Sequence, residues 1–251
     1  MSLGDLFLVA TGLVAGTIDS IAGGGGLITL PVLTQALEPG AHAIGTNKIV
    51  GVLGALIAFL VYLRKHPLRL KKGLTFVLAV GVGAFLGSVL NPHVPKIYFR
   101  YFLIAACPLI LWVVWNRGLL IQEAKEHLAR PHGVLFGVGM LAGFYDGFFG
   151  PGGGTFMLIG LLWGARLPLF EALLLSKLAN TLSAGVSLVS YGVQGYVHVR
   201  LGLMVGLGMV VGGFFGARLA STRAEKIVRP VLLFVVVLLM MVQLNEVVNY
   251  H

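Results

Sequence analysis

The chain has 251 residues, 57% of them hydrophobic and only 11% charged, with a mean hydropathy of +0.94. That leaves too little polar surface to cover a water-soluble globule of 26.6 kDa, so the composition excludes a soluble domain and puts the chain in a bilayer. The net charge of +9 does not make nucleic acid a partner, because the basic residues are spread over loops between apolar runs rather than along one polar face.

The first apolar run carries Asp5 and no Lys or Arg before it, so it lacks the basic leader of a cleaved signal peptide and reads as a retained membrane helix. It ends in Asp19-Ser-Ile-Ala-Gly-Gly-Gly-Gly26. A glycine turn that opens into a helix offers N–H groups carrying partial positive charge, which makes Gly24, Gly25 and Gly26 candidate anion ligands. The apolar piece that follows, 27–37, is about half a bilayer long at roughly 1.5 Å per residue. Next comes Ala43-Ile-Gly-Thr-Asn-Lys-Ile-Val-Gly51, which sets Lys48 in an apolar segment beside Thr46 and Asn47. A lysine deep in a bilayer costs at least about 2.5–3.5 kcal/mol, so it implies a counter-charge, a water path or an anionic substrate, unless its stem snorkels to a headgroup. The stretch 64–72 then holds five basic residues, and apolar runs follow at 74–90 and 99–115. Cys107 is the only cysteine, which rules out an intrachain disulfide.

The second half repeats the first. Asp146-Gly-Phe-Phe-Gly-Pro-Gly-Gly-Gly154 returns the aspartate and the glycine turn 127 residues on, and gives Gly152, Gly153 and Gly154 as the matching ligands. After a two-residue slip the offset is 129, which aligns Lys48 with Lys177, Tyr62 with Tyr191, Gly73 with Gly202, Gly87 with Gly216 and Arg100 with Arg229. A second short piece, 155–163, precedes a helix predicted over 170–193 that carries Glu171 in its first turn and Ser176, Lys177 and Asn180 within. Runs at 201–215 and 231–244 complete the chain, separated by a predicted turn with Arg218, Arg223, Lys226 and Arg229. The organisation is therefore a first transmembrane repeat 1–116, a linker 117–131 and a second repeat 132–251. Repeated halves with interrupted apolar segments at matching positions mark the binding site of a secondary transporter.

Charge decides how the segments thread. Setting aside Lys48 and Lys177, eight simple spans would divide the other 16 basic residues 9 against 7 between the two faces. If each first helix and its short piece form a down-and-up hairpin, the division becomes 13 against 3, which is the bias expected of cytoplasmic loops. The fold class that follows is an all-α polytopic membrane protein. It has two inverted-topology repeats of about five membrane segments each, both termini outside and the linker in the cytoplasm. Glycine backbone at membrane depth must then be buried in protein or line a watery cavity.

The lysines and their neutral neighbours Thr46, Asn47, Ser176 and Asn180 suit an oxyanion, though helix-to-helix hydrogen bonds explain the neighbours nearly as well. Asp19 and Asp146 either carry a coupling proton, pair with the lysines or cap the glycine turns. Gly81, Gly83, Gly87, Gly208, Gly212 and Gly216 read as close-packing positions, and such faces permit a homodimer without requiring one. The seven histidines show no ligand spacing, so no metal and no cofactor are expected. Trp112, Trp115 and Trp163, with Tyr62, Tyr98 and Tyr191, fit an interfacial belt.

The motifs Asp19-Ser-Ile-Ala-Gly-Gly-Gly-Gly, Gly45-Thr-Asn-Lys48, Asp146-Gly-Phe-Phe-Gly-Pro-Gly-Gly-Gly and Ser176-Lys-Leu-Ala-Asn180 resemble those of the sulfite exporter TauE/SafE family of membrane permeases. The resemblance covers nearly the whole chain and implies a bacterial-type inner-membrane permease for a sulfur-containing anion such as sulfite or an organosulfonate, linked to protons. The chain departs from the family's usual lysine motif in the second half, where Ser176 stands in the place of a threonine. Gly51 also matches Asn180 across the repeat, so the two half-sites differ. The competing readings are a gated anion channel and, further off, a membrane-embedded enzyme, for which no nucleophile and base constellation is present.

Overall fold

A computed structural model describes residues 3–37, 40–65, 70–93 and 132–248. The expected span 99–115, the linker 117–131 and, with them, Lys96, Tyr98, Arg100 and Cys107 lie outside the described residues. Every regular element described is helical: α1 Leu3–Ala22, α2 Gly26–Ala36, α3 Ala41–Leu63 and α4 Leu70–Leu90 with a 3-10 turn Asn91–His93, then α5 His132–Phe148, α6 Gly153–Ile159 running into a π-helical turn Gly160–Gly164, α7 Leu169–Val193 and α8 Val199–Val248. Among the described residues, five stretches are long and apolar enough to cross a membrane: Leu3–Ala22, Ala41–Leu63, Gly73–His93, Leu169–Val193 and Val199–Ala224. The short pieces after the glycines are indeed half-length helices, Gly26–Ala36 and Gly153–Leu162.

The predicted turn at 218–229 is instead a kink. Arg223 alone leaves helical geometry, at φ −135° and ψ 25°, and helix continues on both sides. One non-helical residue is enough to redirect an apolar helix while its neighbours keep their hydrogen bonds, so basic residues at a membrane boundary do not require a loop.

Contacts at the glycines fix the helix directions. A Cβ added at Gly16 would meet Met209 and Gly213, and one at Gly12 would meet Val205 and Met209, so α1 and α8 run parallel. Gly54 meets Met209 and Gly213 meets Ile57, which makes α3 parallel to α8. In the same way Gly139, Gly143 and Gly147 of α5 climb past Phe76, Val80 and Ala84 of α4, while Gly73 and Gly81 of α4 face Leu175 and Leu182 of α7. Between the two sets, Gly45 faces Tyr191 and Gly51 faces Ala184, so α3 and α7 are antiparallel. Because α1 and α3 start at the same end, the segment joining them must return the chain to where it began. The same holds for α5 and α7. Such a return is what the hairpin expectation calls for; Arg69, Lys96, Arg100 and the linker residues Arg117, Lys125 and Arg130, on which the 13 against 3 division also depends, lie outside the described residues.

The packing is interleaved. α8, from the second half, lies against α1 and α3, and α4, from the first half, lies against α5 and α7. The result is two bundles, α1–α2–α3–α8 and α5–α6–α7–α4, that meet along α3 and α7. Ala15, Leu33, Ala43, Val50, Val205 and Met209 form a core within the first bundle, and a larger cluster runs through the second and on to the far end of α8. Of the glycines read as close-packing positions, Gly83, Gly87, Gly208, Gly212 and Gly216 do that work at the α1–α8 and α4–α5 contacts, where small residues let backbones touch, and Gly81 makes room for the Leu182 side chain of α7.

Tyr62 and Tyr191 correct the aromatic-belt expectation. They are 1% and 0% exposed, and their hydroxyls donate to the carbonyls of Ser20 at 2.7 Å and Gly147 at 3.0 Å. Carbonyls in the last turn of a helix lack intrahelical partners, and inside a membrane protein a phenol is one way to supply them. Of the other belt residues, Tyr98, Trp112 and Trp115 lie outside the described residues.

Candidate functional site

Each half builds its part of the site in the same way. The first helix ends, the chain turns on glycine, and a half-length helix begins. Gly23 and Gly150, equivalent across the repeat, both sit at positive φ, +81° and +88°, a conformation only glycine adopts freely. The turns then diverge: Gly24 at φ +90° is matched by Pro151, and the second turn takes its next positive φ at Gly152.

The buried lysines meet the aspartates crosswise. Lys48 of α3 reaches Asp146 of α5, Nζ to Oδ2 2.9 Å, and Lys177 of α7 reaches Asp19 of α1 at 3.1 Å. Each ammonium also donates to the backbone carbonyl of the same aspartate. That carbonyl lies in the last turn of α1 or α5, where the helix dipole favours a cation. Lys48 and Lys177 are 3% and 1% exposed, Asp19 and Asp146 6% and 4%, so neither lysine snorkels to a surface. Both ion pairs join the two bundles. Other hydrogen bonds between helices stay within one bundle, such as Thr17 to the Gly212 carbonyl and the two tyrosine contacts above. Thr155, whose hydroxyl donates to the Ala22 carbonyl at 3.1 Å, is a further link across the seam.

Between the pairs lies a cavity of about 390 Å³, its open mouth included. Lys48, Asp19, Asp146, Asn47 and Asn180 line it, as do Gly24, Gly26, Gly152, Gly153 and Gly154. Four candidates stand outside this lining. Lys177 lies behind Asp19. The Gly25 N–H donates to Asp19 Oδ1 at 3.1 Å, so Asp19 caps its glycine turn as well as pairing with a lysine. Thr46 accepts the His198 N–H at 2.9 Å, tying α3 to the start of α8. Ser176 turns back to the Leu173 carbonyl at 2.9 Å.

Two side chains in the site escaped sequence reasoning. Thr29 lines the cavity and donates to Asn47 Oδ1 at 2.6 Å, which leaves the Asn47 amide nitrogen as a donor to something else. Ser183 donates to Asp146 Oδ2 at 2.5 Å. Neither is repeated, since Phe156 and Gly54 stand at the matching places, so the internal repeat carried no signal for them. Gly153 does carry one: a Cβ there would lie 2.6 Å from the Asp146 Cγ, so this glycine makes room for the carboxylate.

A family model described as "Sulfite exporter TauE/SafE" matches residues 8–244. The chain is 35% identical to the probable membrane transporter protein ORF9 of Sinorhizobium sp, over 91% of this chain and 88% of that one. It is 35% identical to a probable membrane transporter protein of Haemophilus influenzae, over 89% and 88%. With the probable membrane transporter protein YfcA of Escherichia coli K12 the identity is 32%, over 93% and 86%. No solved structure matches the chain.

Proposed function

As the chain belongs to the sulfite exporter TauE/SafE family of membrane transporters, we propose that it is a secondary transporter for a small sulfur-containing anion such as sulfite or an organosulfonate, proton-linked and working by alternating access. The observation that carries this reading is the pair of crosswise ion pairs at the seam of two antiparallel bundles, with Lys48 open to a cavity. Buried charges at this depth are costly and mark a substrate or ion path. The anion sits against Lys48, with Asn47, Asn180 and the glycine-turn amides completing its coordination. The bundle α1–α2–α3–α8 rocks against α5–α6–α7–α4 across the α3–α7 contact, so the moving bodies are bundles that have exchanged their fourth helices. The cytoplasmic face is the one bearing the 64–72 stretch and the α8 kink, with the N-terminus opposite.

Binding of a panel of sulfur oxyanions and organosulfonates to the purified chain tests the site. The wild type is compared with Lys48→Met/Asp146→Asn, which leaves no carboxylate unpaired. A ligand that stabilises the wild type and not the variant is the expected result; equal binding to both would remove the site from Lys48. Accumulation of the same anion against its gradient in sealed liposomes, driven by an imposed proton gradient, separates the transporter from a gated channel.

A further inference from the structure

The two ion pairs are not equivalent. Lys48 and Asp146 both line the cavity, whereas of the second pair only Asp19 does. The groups around them differ in the same sense. Asn47 faces the cavity with its oxygen already engaged by Thr29, but Ser176 at the equivalent position turns away. Asp146 is met by the Ser183 hydroxyl, which can turn from donor to acceptor, while Asp19 is held by the Gly25 N–H, which can only donate.

The charges of the four buried groups sum to zero, so an anion arriving at Lys48 would leave the site with an uncompensated negative charge. We infer that Asp146 is the coupling site: each anion bound at Lys48 brings one proton, from the aqueous phase, onto Asp146 Oδ2. The new O–H turns towards Ser183 Oγ, Lys48 stays an ammonium and exchanges its carboxylate partner for the anion, and Lys177–Asp19 remains ionised and closed. This deepens the transporter reading, and rests on it, by fixing the substrate class as a monoanion; a dianion such as sulfate would leave one charge unmatched. The groups that face Asp146 are Lys48 from α3 and the Ser183 hydroxyl from α7, with the Tyr191 hydroxyl on the adjacent carbonyl of Gly147. Across the cavity stands the Asp19–Lys177 pair; α6 and the described side chains of α4 carry no charged group.

Methanesulfonate is the probe, because its own charge is constant between about pH 5 and 8, where the unperturbed carboxylic acids are already ionised. Calorimetry on the purified full chain, in two buffers of different ionisation enthalpy, counts the protons taken up. The wild type should take up about one proton per anion and lose affinity about tenfold per pH unit as pH rises. Asp146→Asn should bind with no proton uptake and no pH slope, and Lys177→Met/Asp19→Asn, which keeps the buried charges summing to zero, should keep the slope. Binding to the wild type without proton uptake overturns the inference while leaving the anion site standing, and this measurement needs no variant to fold. A slope retained in Asp146→Asn overturns it equally. If neither methanesulfonate nor any anion of the earlier panel binds at any pH, the transporter reading itself falls, and this inference with it.

Discussion

Replacing Gly143 with alanine should separate α4 from α5, and the structure gives the scale of the effect. An added methyl would lie 2.7 Å from both the Cα and the carbonyl carbon of Val80, and closer still to its oxygen. These are backbone atoms, so no rotamer change relieves the clash. Ordinary contact begins near 3.4 Å, and the helices must part by roughly an ångström along a contact that also includes Gly83, Gly87, Gly139 and Gly147. A gap of that size forfeits about a quarter to a half of the dispersion well at each affected atom pair, and overpacking of this kind costs typically about 1–3 kcal/mol. For a chain of this length a loss of 2 kcal/mol lowers the melting temperature by about 4–8 °C. The control sits on the same helix. Gly137 has nothing within 4 Å of an added Cβ, so Gly137→Ala should be neutral or raise stability by about 0.5–1 kcal/mol through helix propensity. Thermal unfolding of both variants in the same detergent decides the matter. If Gly143→Ala melts with Gly137→Ala, the α4–α5 approach is not as close as described and the reasoning fails.

Lys177→Met should destabilise the protein by about 3–5 kcal/mol, because it strands the Asp19 carboxylate in the interior, and Lys177→Met/Asp19→Asn should recover most of that loss in a double-mutant cycle. Additive losses would show that the pair is not coupled. Tyr62→Phe removes the phenol that donates to the Ser20 carbonyl and should cost about 1–3 kcal/mol in denaturant unfolding, with Tyr191→Phe similar at Gly147; no change would mean that water replaces the phenol. Arg200→Ala, whose ion pair with Asp5 is 3.7 Å long and whose side chain is 79% exposed, should leave both melting temperature and anion binding unchanged. A drop in either would give that surface contact a role its geometry does not predict.

The outline of this molecule was legible because the repeat is written in chemically costly residues. Glycine turns and buried lysines are expensive in a bilayer, and their recurrence at offsets of 127 and 129 pointed to both halves of the candidate site. The return of the chain between α1 and α3 followed from charge alone, and the parallel run of those helices bears it out. Two kinds of information were hidden. One is crosswise partnership: spacing could suggest that lysines pair with aspartates, but not that Lys48 takes Asp146 rather than Asp19, which depends on how the bundles interleave. The other is side-chain direction within a motif. Thr46 and Asn47 are neighbours, yet one is spent on the His198 amide and the other faces the cavity. Tyr62 and Tyr191 were misread for a related reason: their match across the repeat was visible, but an amphipathic ring near a span end suits a headgroup region as well as an orphan carbonyl.

The exchange of fourth helices has a consequence for how the chain is made. Asp19 and Lys177 are 158 residues apart, and Gly12 and Gly16 of α1 pack against α8. At a synthesis rate of roughly 5–20 residues per second, the first helix waits on the order of 10–30 s after its own insertion before its lysine emerges from the ribosome. Throughout that interval a carboxylate and a glycine-lined backbone stripe stand unsheltered among lipids or against the insertion machinery. The first half therefore has no finished state to reach by itself, and assembly completes only when the last helices arrive to close around the first.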